Sequence, residues 1–133
     1  MPLTYEQFRY SFANAVSEEE ARSLYETFAV PAPGVPLFQA AVANLNPWTE
    51  VKVDTLAAGR GPLLIVSGER DHTVPWAIAK ASYDKQLRNT HAVTEIVEMP
   101  GRGHALTIDN GWREVADTAL AFVRRFTDPA ERA

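Results

Sequence analysis

One stretch, residues 61–106, constrains this chain more than any other. It opens with Gly61-Pro62-Leu63-Leu64-Ile65-Val66-Ser67-Gly68-Glu69-Arg70-Asp71-His72-Thr73-Val74-Pro75 and closes with Val97-Glu98-Met99-Pro100-Gly101-Arg102-Gly103-His104-Ala105-Leu106. Leu63 to Val66 is a continuous apolar run, the pattern of a strand covered on both faces. It delivers an acid, Asp71, to a turn. Val93 to Met99 reads as a second strand and delivers a histidine, His104, to a Gly-rich turn. Pro75 suits the first turn of a helix, and that helix is predicted over Trp76 to Arg88. Trp76, Ala79, Tyr83 and Leu87 would face inward, with Lys80, Asp84, Lys85 and Arg88 outward. The unit is therefore β-α-β, with parallel strands and a helical crossover. Asp71 and His104 then lie beyond the carboxyl ends of neighbouring strands, where open α/β sheets place their sites.

Helices flank this unit. Thr4 and Gln7 fit a capping box, and a helix is predicted from Tyr5 to Ala15, with Phe8, Phe12, Ala15 and Val16 near one face. Ser17 and Glu20 form a second box before a helix from Glu18 to Phe28, whose first turn carries Glu18, Glu19 and Glu20 where the helix dipole favours negative charge. Pro31, Pro33, Gly34 and Pro36 force a loop. A third short helix, Leu37 to Leu45, precedes an Asn46-Pro47 turn. Val51 to Asp54 alternates and reads as extended. The last helix, Trp112 to Phe126, has the clearest periodicity, with Trp112, Val115, Ala116, Ala119, Phe122, Val123 and Phe126 in one stripe.

The bulk numbers narrow the function classes. The chain has 133 residues, enough for one folded unit. Its net charge is −4 and no basic cluster exceeds Arg124-Arg125, which argues against a nucleic-acid surface. There is no cysteine, hence no disulfide, thiolate metal site or cysteine nucleophile. The first residues lack a basic start followed by an apolar core, and no apolar run approaches the roughly 18 residues of a membrane span. A cytoplasmic location is expected.

Asp71 and His104 carry the chemistry. A carboxylate behind a histidine fixes the imidazole tautomer and stabilises the imidazolium formed when the ring takes a proton. On pattern alone an aspartate here could equally close a turn or cap the next helix, and a histidine between glycine-rich residues could be ordinary loop. His72 reads as a surface residue beside a turn and His91 as a solvated one. The three histidines form no metal motif. Gly59-Arg60-Gly61 precedes a strand rather than a helix, which makes a phosphate loop a poor reading. Arg102 reads as an exposed arginine, with anion binding as the alternative. The aromatics of the first third, from Tyr5 to Trp48, read as core.

Gly68-x-x-Asp71-x-x-Val74-Pro75, then Gly101-x-Gly103-His104, then an amphipathic terminal helix, resembles the C-terminal half of an α/β-hydrolase. The upstream helices, Thr4 to Leu45, are similar to the cap that such enzymes insert. The resemblance implies a partial α/β-hydrolase fold, with a helical cap-like segment at 1–47 and part of the catalytic core at 48–133. It implies that Asp71 orients His104, that His104 is the general base, and that the substrate is a small ester or related acyl compound. No cofactor or metal is implied. The sequence departs from the family in one respect that matters: it contains no Gly-x-Ser-x-Gly nucleophile elbow. Ser67 ends the first strand but lies four residues before the acid on the same element, and it would not be presented on a strained turn. Ser11, Ser17, Ser23 and Ser82 fall in helical or capping positions.

Three readings stay open: a hydrolase part that is inactive alone, a non-catalytic assembly or binding module, and a small α/β domain whose Asp and His are structural. Two parallel strands leave unpaired edges and cap helices without a body expose apolar area. A homodimer is therefore expected, with N-terminal helices folding over the open edge as the alternative.

Overall fold

The computed structural model describes residues 3–43, 48 and 53–127. The element order is α1 (Tyr5–Ser11), α2 (Glu18–Phe28), α3 (Val35–Val42), β1 (Leu63–Gly68), α4 (Trp76–Gln86), β2 (Thr94–Met99) and α5 (Trp112–Thr127). The class is α/β, and the β-α-β unit is present. β1 and β2 pair in parallel, from Leu63 opposite Thr94 to Gly68 opposite Met99. Among the described residues the sheet has these two strands, and no helix is long and apolar enough to cross a membrane.

The local signals account for the helix starts. Thr4 caps α1 through a complete capping box with Gln7. Ser17 caps α2 by accepting from the Glu20 amide, but the reciprocal half of that box is missing. The Glu20 carboxylate instead accepts from the backbone N–H and the side-chain amide of Asn110, each at 2.6 Å. Pro36 lies within the first turn of α3, where its missing N–H costs nothing, so this helix starts at Val35 rather than Leu37. The predicted turn at Asn46-Pro47, and Val51 and Lys52 of the predicted extended segment, fall outside the described residues. Val53 and Asp54 join no strand.

Other expectations are corrected by tertiary contacts. The first helix ends at Ser11, not Ala15, because Phe12 turns its carbonyl away to accept from the Ala105 amide at 3.0 Å. Arg9 then closes the turn by donating to the carbonyls of Ala13 and Val16. Leu87 was expected inward but is exposed just past the end of α4, and Trp112 and Val123 of the α5 stripe are exposed as well. Only Val115 and Phe122 of that helix are buried. The apolar run of β1 is half-buried rather than covered on both faces. Of the N-terminal aromatics, Phe8 is core, whereas Tyr10, Phe28, Phe38 and Trp48 face solvent.

Two apolar clusters result. Phe8, Ala13, Ala21 and Leu24 gather around Ala105, with Tyr5, Phe12, Val16, Tyr25 and Ala29 packed against them. Met99, Leu106 and Val115 form the other, joined by Val66 and Val97. Val66, Val97 and Met99 share one sheet face by alternation and register, and that face meets α5. The turn after β2 feeds both clusters, through Ala105 and Leu106.

Candidate active site

The site is built where two turns meet. β1 ends at Gly68, and a Cβ there would lie 2.6 Å from the Arg102 carbonyl oxygen and 2.7 Å from that of Gly103. Those are backbone atoms that cannot swing aside, so only glycine lets the turns approach this closely. The Arg70 N–H donates to the Arg102 carbonyl at 2.8 Å and the Glu69 N–H to the Met99 carbonyl at 3.0 Å. Across the same seam the Glu69 carboxylate accepts from the Gly101 N–H at 2.6 Å. Gly101 has φ +69°, the left-handed conformation that glycine adopts without strain.

Asp71 does both things that its position allowed. Its Oδ1 accepts from the backbone N–H groups of Thr73 at 2.7 Å and Val74 at 2.8 Å, closing the turn that leads into α4. Its Oδ2 accepts from His104 Nδ1 at 2.8 Å. The Asp71 side chain is 6% exposed and the His104 side chain 29%. A carboxylate only accepts, so Nδ1 carries a proton, and in the neutral ring Nε2 is then the acceptor. Nε2 has no hydrogen-bond partner among the described residues. The ring stands edge-on to Phe12, with centroids 4.8 Å apart and planes at 77°. His104 lines a pocket of about 450 Å³ with Asp71, Ser67, Val74, Ala79 and Leu106.

Ser67 also faces this pocket. It is 3% exposed, and its Oγ is buried without a hydrogen-bond partner. It makes no hydrogen bond to His104, so the pair has no activated hydroxyl within the described chain. Among the described residues no cluster of His, Cys, Asp or Glu could hold a metal ion.

The remaining candidates are structural. His72 is exposed, as expected, but donates to the Tyr10 carbonyl at 3.0 Å and lies against the Tyr10 ring. His91 is exposed in its turn. Arg102 is neither exposed nor open to an anion. Its guanidinium pairs with buried Asp109 and with Glu114 and donates to the Leu106 and Gly111 carbonyls, stapling the loop that carries His104. Arg60 donates to Thr94 Oγ1 and the Gln86 carbonyl, which ties the loop before β1 to the crossover. The contacts of residues 10–15 with both site turns had no sequence signal, because the helical periodicity runs straight through them.

In comparison with known proteins, the chain matches no family model, no curated protein and no solved structure.

Proposed function

We propose that Asp71 and His104 are the acid and the general base of an acyl-hydrolase site of the α/β-hydrolase type. The nucleophile would come from polypeptide that this sequence does not contain. The observation that carries the reading is the 2.8 Å contact between His104 Nδ1 and Asp71 Oδ2, together with the unpartnered Nε2 at a pocket. With its proton held on Nδ1, His104 can take the proton of an attacking hydroxyl at Nε2 and return it to the departing alcohol. Asp71 stabilises the imidazolium between those steps. Acyl transfer also needs an activated nucleophile and an oxyanion hole. The isolated chain is therefore expected to turn over a p-nitrophenyl ester no faster than its His104→Ala variant.

The test is to express the chain with the polypeptide encoded immediately upstream, in frame and in trans, and to follow p-nitrophenyl ester hydrolysis. Turnover that falls on the order of 10⁴-fold in Asp71→Asn supports the reading. Turnover untouched by Asp71→Asn and His104→Ala overturns it.

A second reading, an assembly module, is favoured by the free edge of β1. The Leu63 and Glu69 amides both donate toward β2, so by alternation Ile65 and Ser67 point the same way. Leu64 and Val66 then direct their N–H and C=O groups to the other side, where no described residue pairs with them. Leu63–Gly68 contains no charge, proline or bulge that would protect an edge. Pairing of this strand across a two-fold axis would give a homodimer, seen as a doubled mass in light scattering at micromolar concentration. A sharp monomer mass would remove the reading.

A further inference from the structure

We propose that residues 10–15 are a clasp that positions the Asp71–His104 pair, with Phe12 as its principal positioning residue. The segment grips the acid turn on both sides of Asp71. Asn14 Nδ2 donates to the Arg70 carbonyl at 2.8 Å, His72 Nδ1 to the Tyr10 carbonyl at 3.0 Å and Thr73 Oγ1 to the Ser11 carbonyl at 2.8 Å. The same segment grips the histidine turn on both sides of His104. The Ala105 N–H donates to the Phe12 carbonyl at 3.0 Å. Gly103 lies against Asn14 and Ala15 so closely that a Cβ on it would meet Asn14 Oδ1 at 2.7 Å.

Phe12 completes the clasp through its ring. Phe8, buried in the helical cluster, stacks on Phe12 with centroids 5.4 Å apart and planes at 7°. Phe12 in turn meets the imidazole edge-on. A run of rings thus leads from a fixed core residue to the base. An imidazole held only by Asp71 could still swing about its Cβ–Cγ bond. The Phe12 ring blocks one side of that swing, and the Ala105–Phe12 bond fixes the backbone from which the ring hangs. The helical segment is therefore part of the machinery that sets the acid–base geometry. Its catalytic meaning rests on the function proposed above, whereas the positioning itself does not.

The experiment follows the His104 Nδ1 proton by NMR of the full chain, reading its exchange with water. In Phe12→Leu that exchange is expected to speed up by about two- to tenfold, the range that an aromatic edge contact is worth. Phe12→Tyr, which keeps the ring, restores the slow rate. Phe122→Leu, a core change remote from residues 10–15, leaves it unchanged and so separates positioning from general loss of stability. Asn14→Ala, a half-buried position of the clasp outside the aromatic core, should speed exchange about twofold or more and decides the matter if Phe12→Leu does not fold. Unchanged exchange in Phe12→Leu, or in Asn14→Ala where Phe12→Leu is unfolded, overturns the clasp and leaves the acid–base reading standing. Equal acceleration in Phe122→Leu also overturns it. A wild-type chain with no protected Nδ1 proton overturns both.

Discussion

Ala105 and Leu106 are neighbours in sequence and enter different cores. Ala105 closes the helical cluster around Phe8, Ala13, Ala21 and Leu24, whereas Leu106 joins Met99 and Val115 on the strand side. The helical cluster is rich in rings set edge to face, with Tyr25 meeting both Tyr5 and Phe8 at 5.5 Å. It draws almost wholly on residues 5–29, so its contacts are short in sequence. The strand cluster has fewer buried side chains, depends on parallel pairing between distant segments, and among the described residues leaves the outer edge of each strand without a partner strand. His104 sits on the seam between them. The difference teaches that the acid and the base are held twice: the turns at the strand ends bring them together, and the better-closed helical core adds a second hold through residues 10–15.

The strongest way to break this comparison is Phe8→Ala. Removing that buried ring is expected to cost about 3–5 kcal/mol in urea denaturation, and it also withdraws the support behind Phe12. Met99→Ala on the strand side should cost about 2–5 kcal/mol by the same cavity argument, yet disturb the His104 ring less. A larger loss of His104 order in Met99→Ala than in Phe8→Ala would reverse the account.

Gly68→Ala comes next. The added methyl meets backbone oxygens of both Arg102 and Gly103, so the acid turn and the histidine turn must move apart. Overpacking of this kind costs about 1–3 kcal/mol. The midpoint in urea should fall, and the Nδ1 proton signal of His104 should weaken with it. A variant of wild-type stability with that signal intact would show that the two turns have room that this geometry denies them.

How much of this was legible in the sequence differs between the two regions. Asp71 and His104 stand out because each follows a strand pattern, the apolar run Leu63–Val66 or the alternating Val93–Met99, and lies in a glycine-marked turn, features set by local backbone needs. The turn role and the histidine-holding role of Asp71 competed on paper, and its two oxygens perform both. Phe12 and Asn14 were hidden because helical periodicity continues to Ala15, while a single tertiary bond from Ala105 ends the helix at Ser11. In the sequence Arg102 reads as exposed because nothing local announces Asp109, seven residues on and buried. Trp112 and Val123 belong to a true apolar stripe. Which part of a stripe is covered depends on neighbours that periodicity does not name.

The smallest expected effect sharpens the strand side alone. The Arg125 guanidinium of α5 donates to both Glu95 oxygens of β2 at 2.8 Å. These hydrogen bonds, helped by the arginine's charge against a slight desolvation, hold the Glu95 carboxyl below its ordinary value. A carboxyl whose folded value lies below its unfolded one stabilises the fold above the ordinary glutamate range, and this stability is lost as pH falls through the folded value. The pair is more than a third exposed, so screening limits it to less than about 1 kcal/mol. The Tm difference between wild type and Glu95→Gln should be present at neutral pH and shrink as pH falls from the ordinary glutamate range through the lowered folded value. A difference that grows on acidification would contradict the sign.

The most direct measurement is the tautomer of His104, read from two-bond nitrogen–proton correlations of the imidazole. Wild type should carry its proton on Nδ1, with Nε2 unprotonated. In Asp71→Asn the Thr73 and Val74 amides still demand an oxygen, so the new side-chain amide turns its NH₂ toward the histidine. Nδ1 must then accept, and the proton moves to Nε2. A wild-type proton on Nε2, or a tautomer that Asp71→Asn leaves unchanged, would contradict the paired acid and base on which the account stands.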